Sequence, residues 1–142
     1  MPSVNVCPSF WKDLKALQKS TKNKDLRPQF TDAAEECSDS EKVDDIPIVR
    51  AIKNEILNHI KDGNIDRFRH DAQPLLDRKW TVYKIRYGID NTGKSGGLRI
   101  IFCLDSDGSN LLFVHACKKN NCPDENDLRA EIVHRVATYL GL

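Results

Sequence analysis

Trp80-Thr-Val-Tyr-Lys-Ile-Arg-Tyr87 and Leu98-Arg-Ile-Ile-Phe-Cys-Leu104, joined by Gly88-Ile-Asp-Asn-Thr-Gly-Lys-Ser-Gly-Gly97, decide how the chain is read. The first run alternates with period two, placing Val82, Lys84 and Arg86 on one side and Tyr83, Ile85 and Tyr87 on the other. The second groups Leu98, Ile100, Phe102 and Leu104 and turns Arg99 the opposite way. β-Branched and aromatic residues fill both, so both read as strands. Paired as a hairpin, they put Lys84, Arg86 and Arg99 on one surface. Three neighbouring cations repel one another, an arrangement that suits a polyanion lying across them.

The connecting loop matches the phosphate-cradling pattern G-x-x-x-x-G-K-S from Gly88 to Ser95. That pattern binds phosphate when a helix follows it, because the helix N-terminus and nested amides hold the anion. Here Gly96-Gly97 and an apolar β-like run follow, without a helix start signal. The loop is therefore expected to be a basic hairpin connection.

A chain of 142 residues suits one domain with a modest core. The net charge of +1 says little about partners, but its distribution says more. Arg78 to Arg99 carries six Lys/Arg against one Asp, while Thr31 to Asp45 carries seven acids against one Lys. Five cysteines (Cys7, Cys37, Cys103, Cys117, Cys122) without repeating spacing argue against a disulfide framework. No apolar run approaches membrane-spanning length and no signal-peptide core is evident, so a cytoplasmic protein is expected.

Val4 to Val6 reads as a short strand, and Ser9 as the cap of a helix with Phe10, Leu14 and Leu17 inward. Lys12, Lys15 and Lys19 form its solvated face. Residues 18–45 are polar, with an acidic insert at about 20–45 expected as a solvated loop with a helical turn near Ala33 to Glu36. A longer helix spans Asp45 to Asp62, striped by Val49, Ile52, Ile56 and Ile60 and closed by Gly63; His59 packs at its edge. Asn64 to Asp77 reads as a turn or short helix. Asp105 to Ser109 lacks the ligand spacing of a calcium loop and reads as a hairpin turn. Leu111 to Cys117 is apolar on both faces, hence a central strand. Pro123, Asp124 and Glu125 open a last helix striped by Leu128, Ile132, Val136 and Leu140. His115, Cys117 and Cys122 fit no common zinc spacing, and no metal or cofactor is expected.

The order is a short strand, two helices, three antiparallel strands and a terminal helix. With Phe10-Trp-Lys-Asp-Leu-Lys-Ala-Leu17, Val82-Tyr-Lys-Ile-Arg86, Gly93-Lys-Ser-Gly-Gly-Leu-Arg-Ile-Ile101 and a last strand ending in Lys118-Lys119, the sequence resembles the RelE/ParE superfamily of type II toxins, its HigB-like branch most closely. The resemblance implies an α+β, RelE-like fold: a small antiparallel-dominated sheet against two N-terminal helices, with a C-terminal helix. It also implies a ribosome-dependent endoribonuclease acting on messenger RNA without metal or nucleotide cofactor, restrained by a cognate antitoxin protein. The nominated site is Lys84, Arg86, Arg99 and one of Lys118 or Lys119, with Arg78, Lys79, Lys94 and Ser95 as further RNA contacts.

Metal-free RNA cleavage uses the 2′-hydroxyl as an internal nucleophile, which restricts it to RNA. It needs a proton acceptor, a donor for the leaving 5′-oxygen, and cations for the developing phosphoryl charge. Arg86 and Arg99 suit phosphate clamping, because guanidinium is effectively always protonated. Lys84 is the better base if neighbouring cations depress its pKa. His115, whose residue type titrates near neutrality, is a further candidate if the register puts it on the face of Lys84. Asn120 to Leu128 contains no tyrosine, where some relatives place one in the active site. The alternative reading is an attenuated or non-catalytic member that acts by binding RNA, gyrase or an acidic partner.

Overall fold

The computed structural model describes residues 2–21, 24, 27–31, 41–70, 79–88, 97–118 and 121–141, with the side chains of 19, 20, 31 and 41 excepted. The chain is α+β. Strand β1 (Ser3–Val6) leads into α1 (Pro8–Ala16), followed by the short helices α2 (Arg27–Thr31) and α3 (Glu41–Asp45) and by α4 (Pro47–Lys61). Strands β2 (Trp80–Tyr87), β3 (Leu98–Asp105) and β4 (Asn110–Lys118) come next, and α5 (Glu125–Tyr139) ends the described chain. The four strands form one mixed sheet in the order β1-β4-β3-β2. β1 runs parallel to β4, and the other neighbours are antiparallel. The expectation of a central β4 holds, which explains why its side chains are apolar on both faces.

Each sheet face has its own core. One gathers Tyr83, Ile85, Ile100, Phe102, Leu111 and Phe113 against Phe10, Trp11 and Leu14 of α1 and Ile52 and Ile56 of α4. Phe102 stacks on Tyr83 with ring centroids 5.3 Å apart. The other sets Val82, Ile101, Cys103, Leu112 and Val114 against Leu128, Ile132 and Val136 of α5. The α5 stripe is shorter than its sequence suggests, because Leu140 lies 39% exposed past the sheet.

Several local expectations change. Ser9 does not cap α1: Cys7 holds the cap position without a side-chain bond, and Pro8 opens the helix where no N–H is needed. The polar region before α4 is not simply a solvated loop. Phe30 of α2 and Val43 of α3 are fully buried in the first core, and the Gln29 side-chain oxygen accepts from the Ile48 amide at 2.7 Å. Two isolated apolar residues thus anchor the region, a signal too sparse for periodicity to register. The expected turn at 33–36 lies outside the described residues. Cys117 and Cys122 form a disulfide, closing the chain between β4 and α5. One short-range bridge is compatible with an irregular set of cysteines, and it removes both sulfurs from any metal reading.

A single carboxylate ties three elements together. β1 ends at Val6, opposite Phe113, so the outer edge of β4 beyond that point has no strand partner among the described residues. Asp13 of α1 fills the gap by accepting from the Ala116 amide at 3.1 Å and from Arg135 of α5 at 3.0 Å. Arg135 also donates to the Val114 carbonyl at 2.9 Å. Neither side chain of the Asp13–Arg135 pair is appreciably exposed. Removing the carboxylate leaves the edge amide without its acceptor and the buried guanidinium with only Glu131 and the Val114 carbonyl. Asp13→Ala is expected to destabilise the fold by about 3 kcal/mol, read as a lower denaturant midpoint at unchanged slope. A loss below about 1 kcal/mol would show that the pair is dispensable.

Candidate nucleic-acid interface

The register settles which cations meet. Across β2 and β3, Lys84 faces Ile101 and Arg86 faces Arg99. Across β3 and β4, Ile101 faces His115 and Arg99 faces Cys117. Opposed residues in an antiparallel ladder share a face. Lys84, Arg86 and Arg99 therefore lie together, on the side of the sheet that α5 partly covers. β3 begins at Leu98, three residues after Ser95, so the strand-then-helix context of a nucleotide-binding loop does not arise. Residues 89–96 of the loop, with Lys94 and Ser95, lie outside the described residues, as do Arg78 and Lys119.

Arg86 is exposed, whereas Arg99 beside it is only 8% exposed. The Arg99 guanidinium donates to the Gly97 carbonyl at 3.4 Å. Burial and the nearby Arg86 charge both push the Arg99 pKa below its ordinary value. Gly97 allows this close strand entry: a Cβ there would stand 2.1 Å from the Tyr87 carbonyl oxygen.

A cavity of about 490 Å³ opens beside β2, lined by Arg67, Phe68, Arg69, His70, Lys84 and Arg86. Four of these residues come from the segment after α4, which the sequence presents as a turn or short helix. Gly63 takes the left-handed conformation (φ 74°) that ends the helix. A 3-10 turn, Ile65–Phe68, then packs Phe68 against His59, with ring centroids 4.5 Å apart. His59 is thus the packed edge residue expected. Arg69 bridges to Tyr83, and the His70 amide donates to the Val82 carbonyl at 3.0 Å. The segment shields the outer edge of β2 and adds two arginines and a histidine to Lys84 and Arg86. The only sequence signal for this was the run Arg67-Phe-Arg-His70.

Other nominated residues lie elsewhere. Lys118 faces Leu98, placing it on the sheet face opposite Arg99. Lys79 is exposed in the turn before β2. His115 shares the face of Lys84 but sits two strands away, about 10 Å by strand spacing. It is buried, and its Nδ1 has no hydrogen-bond partner among the described residues. Its register depends on a bulge: Phe102 faces Phe113 while Ile101 faces His115, leaving Val114 as the extra residue.

No protein-family model matches the chain, and neither a curated protein nor a solved structure matches it. Among the described residues, no helix is long and apolar enough to cross a membrane.

Two outcomes follow from the electrostatics. Like charges directly opposed across a ladder destabilise it. Arg86→Gln is expected to raise stability by about 0.5 kcal/mol at low ionic strength. Chemical denaturation at low and high salt checks this, and the stability gain should shrink with salt. Burial pushes the His115 pKa down, opposed by Asp13 and assisted by Arg135. The unfolded chain then binds that proton more readily, so the stability due to neutral His115 is lost as pH falls below its unfolded value near 6.5. His115→Gln should flatten the acid-side fall in stability over that range, as seen by melts at stepped pH.

Proposed function

We propose that the chain is a RelE-like toxin that cleaves messenger RNA on the ribosome by metal-free attack of the 2′-hydroxyl. The observation that carries this reading is the convergence of Lys84, Arg86 and Arg99 on one sheet face, with Arg67 and Arg69 facing the same cavity as Lys84 and Arg86. Clustered cations that cost folding stability serve where negative charge develops, and a pentacoordinate phosphoryl group presents such charge. Arg86 and Arg99 act as the clamp. Lys84 supplies an ammonium with three donors beside them. The element order also fits a RelE-like fold, in which a cognate antitoxin restrains the toxin in the cytoplasm.

A binding-only reading is favoured by one observation. Arg99 is buried and held to a backbone carbonyl, so its charge also serves the fold. Cleavage on translating ribosomes separates the two. Induced expression of the wild-type chain should arrest growth and cut transcripts, and Arg99→Ala should lower the cleavage rate by about 100-fold or more. Normal growth with intact ribosome-bound transcripts under strong induction of the wild-type protein would reject the nuclease.

A further inference from the structure

We propose that the cavity at the rim of β2 receives an unpaired nucleotide of single-stranded RNA, with its base stacked on the Arg67 guanidinium and the adjoining phosphates on Lys84 and Arg86. The inference rests on the reading above that RNA lies across this face, and it adds how a base is held there. The lining mixes two chemistries: the cations Arg67, Arg69, Lys84 and Arg86 stand beside the aromatic ring of Phe68. Positive charge by itself accounts for a phosphate backbone. An aromatic ring among those charges points to a second, planar group. The cavity, at about 490 Å³, is in the range that holds a small organic ligand.

The platform is built outward from α4. The His59 Nδ1 lies 2.8 Å from the Asn64 side-chain oxygen, and the His59 ring packs on Phe68 at 4.5 Å between centroids. Phe68 is half-buried against the first core, so its ring is a fixed surface. The Arg67 guanidinium carbon sits over that ring, 5.4 Å from its centroid, within the reach of a cation–π contact. A guanidinium is planar and stacks on aromatic faces. Phe68 supports Arg67 from below, and Arg67 is exposed at the cavity that it lines. A side chain already held over a ring loses less freedom when a ligand arrives.

The chemistry selects the ligand. Unpaired bases of RNA are held by stacking on aromatic rings or on guanidinium planes, and any base has a face to offer. A base inside a duplex has both faces covered by its neighbours, so the site takes single strand. Lys84 and Arg86 project from one face of β2 two residues apart, or about 7 Å along the strand. They can thus meet phosphates on the chain that carries the stacked base.

The test is fluorescence anisotropy with labelled hexauridylate and with the same ribose–phosphate strand lacking its bases, each titrated over a range of salt. The proteins compared are wild type, Arg67→Lys and Lys84→Gln. Wild type should bind hexauridylate about 10-fold more tightly than the abasic strand, the gain expected of one stacked base. Arg67→Lys keeps the charge and loses the plane, so it should erase that preference at an unchanged salt slope. Arg67 is exposed, so this variant should melt with wild type. Lys84→Gln should weaken both strands alike and lower the slope by about one. Equal binding of the two strands by wild type, or a preference that survives in Arg67→Lys, would overturn the base site and leave the cations as phosphate contacts. Binding of neither strand, with transcripts still cut on ribosomes, would overturn the base site and leave the nuclease standing. Binding of neither and no cleavage would overturn both.

Discussion

The fold depends on how the unpaired edge of β4 is satisfied. A strand edge buried without partners forfeits hydrogen bonds that water would otherwise supply. Here the parallel pairing with β1 stops at Phe113, and the chain turns into α1 instead of continuing as strand. Asp13 then accepts the Ala116 amide, while Arg135 donates to the Val114 carbonyl. Two side chains that also pair with each other replace the missing strand. Desolvating such a pair is costly, and the bonds to the β4 backbone help offset it. Because the pair joins α1 to α5, it fixes the helix on the second sheet face relative to the strand that both faces share.

That constraint bears on the cationic surface. α5 covers Val82, Ile101 and Cys103 but stops short of Arg86. The strand ends carrying Arg86 and Arg99 extend past the apolar rows, so charge repulsion there acts on the periphery of the hairpin. β2 is an edge strand, and the Arg67-to-His70 segment covers part of its rim with further positive charge. The surface is consistent with a fold that concentrates charge where packing is least disturbed, at one end of the sheet and along one rim.

Much of this was legible from alternation alone. The parity of Lys84, Arg86 and Arg99 follows from period two and needs only that the strands pair with Tyr87 opposite Leu98. Phe10, Leu14 and the stripe from Val49 to Ile56 likewise read correctly, because amphipathic helices announce their buried face. What was not legible is tertiary. The bulge at Val114 decides where His115 points, and no local pattern encodes a bulge between two apolar residues. The docking of Arg69 and His70 on β2 uses backbone bonds, which any residue type can make. Lys118, one residue past Cys117, falls on the other face by the same parity that unites the three cations. The disulfide pair Cys117 and Cys122 was hidden among five irregularly spaced cysteines, although a separation of five is short enough for a turn to close.

The length of α5 connects the two ends of the structure. From Glu125 to Arg135 is ten residues, or about 15 Å of helix. Three strand spacings come to about 14 Å, roughly the reach from the rim of β2 to the outer edge of β4. The helix crosses the sheet over that distance and is tied at both ends by an ion pair: Glu125 with His70 at the β2 rim, and Arg135 with Asp13 at the β4 edge. The apolar residues between them, Leu128 and Ile132, fill the span. The two ties differ in kind. Asp13–Arg135 is buried and bonded to backbone, so it acts as the fixed end. Glu125 is largely exposed, so the contact at the cavity is screened by salt more than the buried far end.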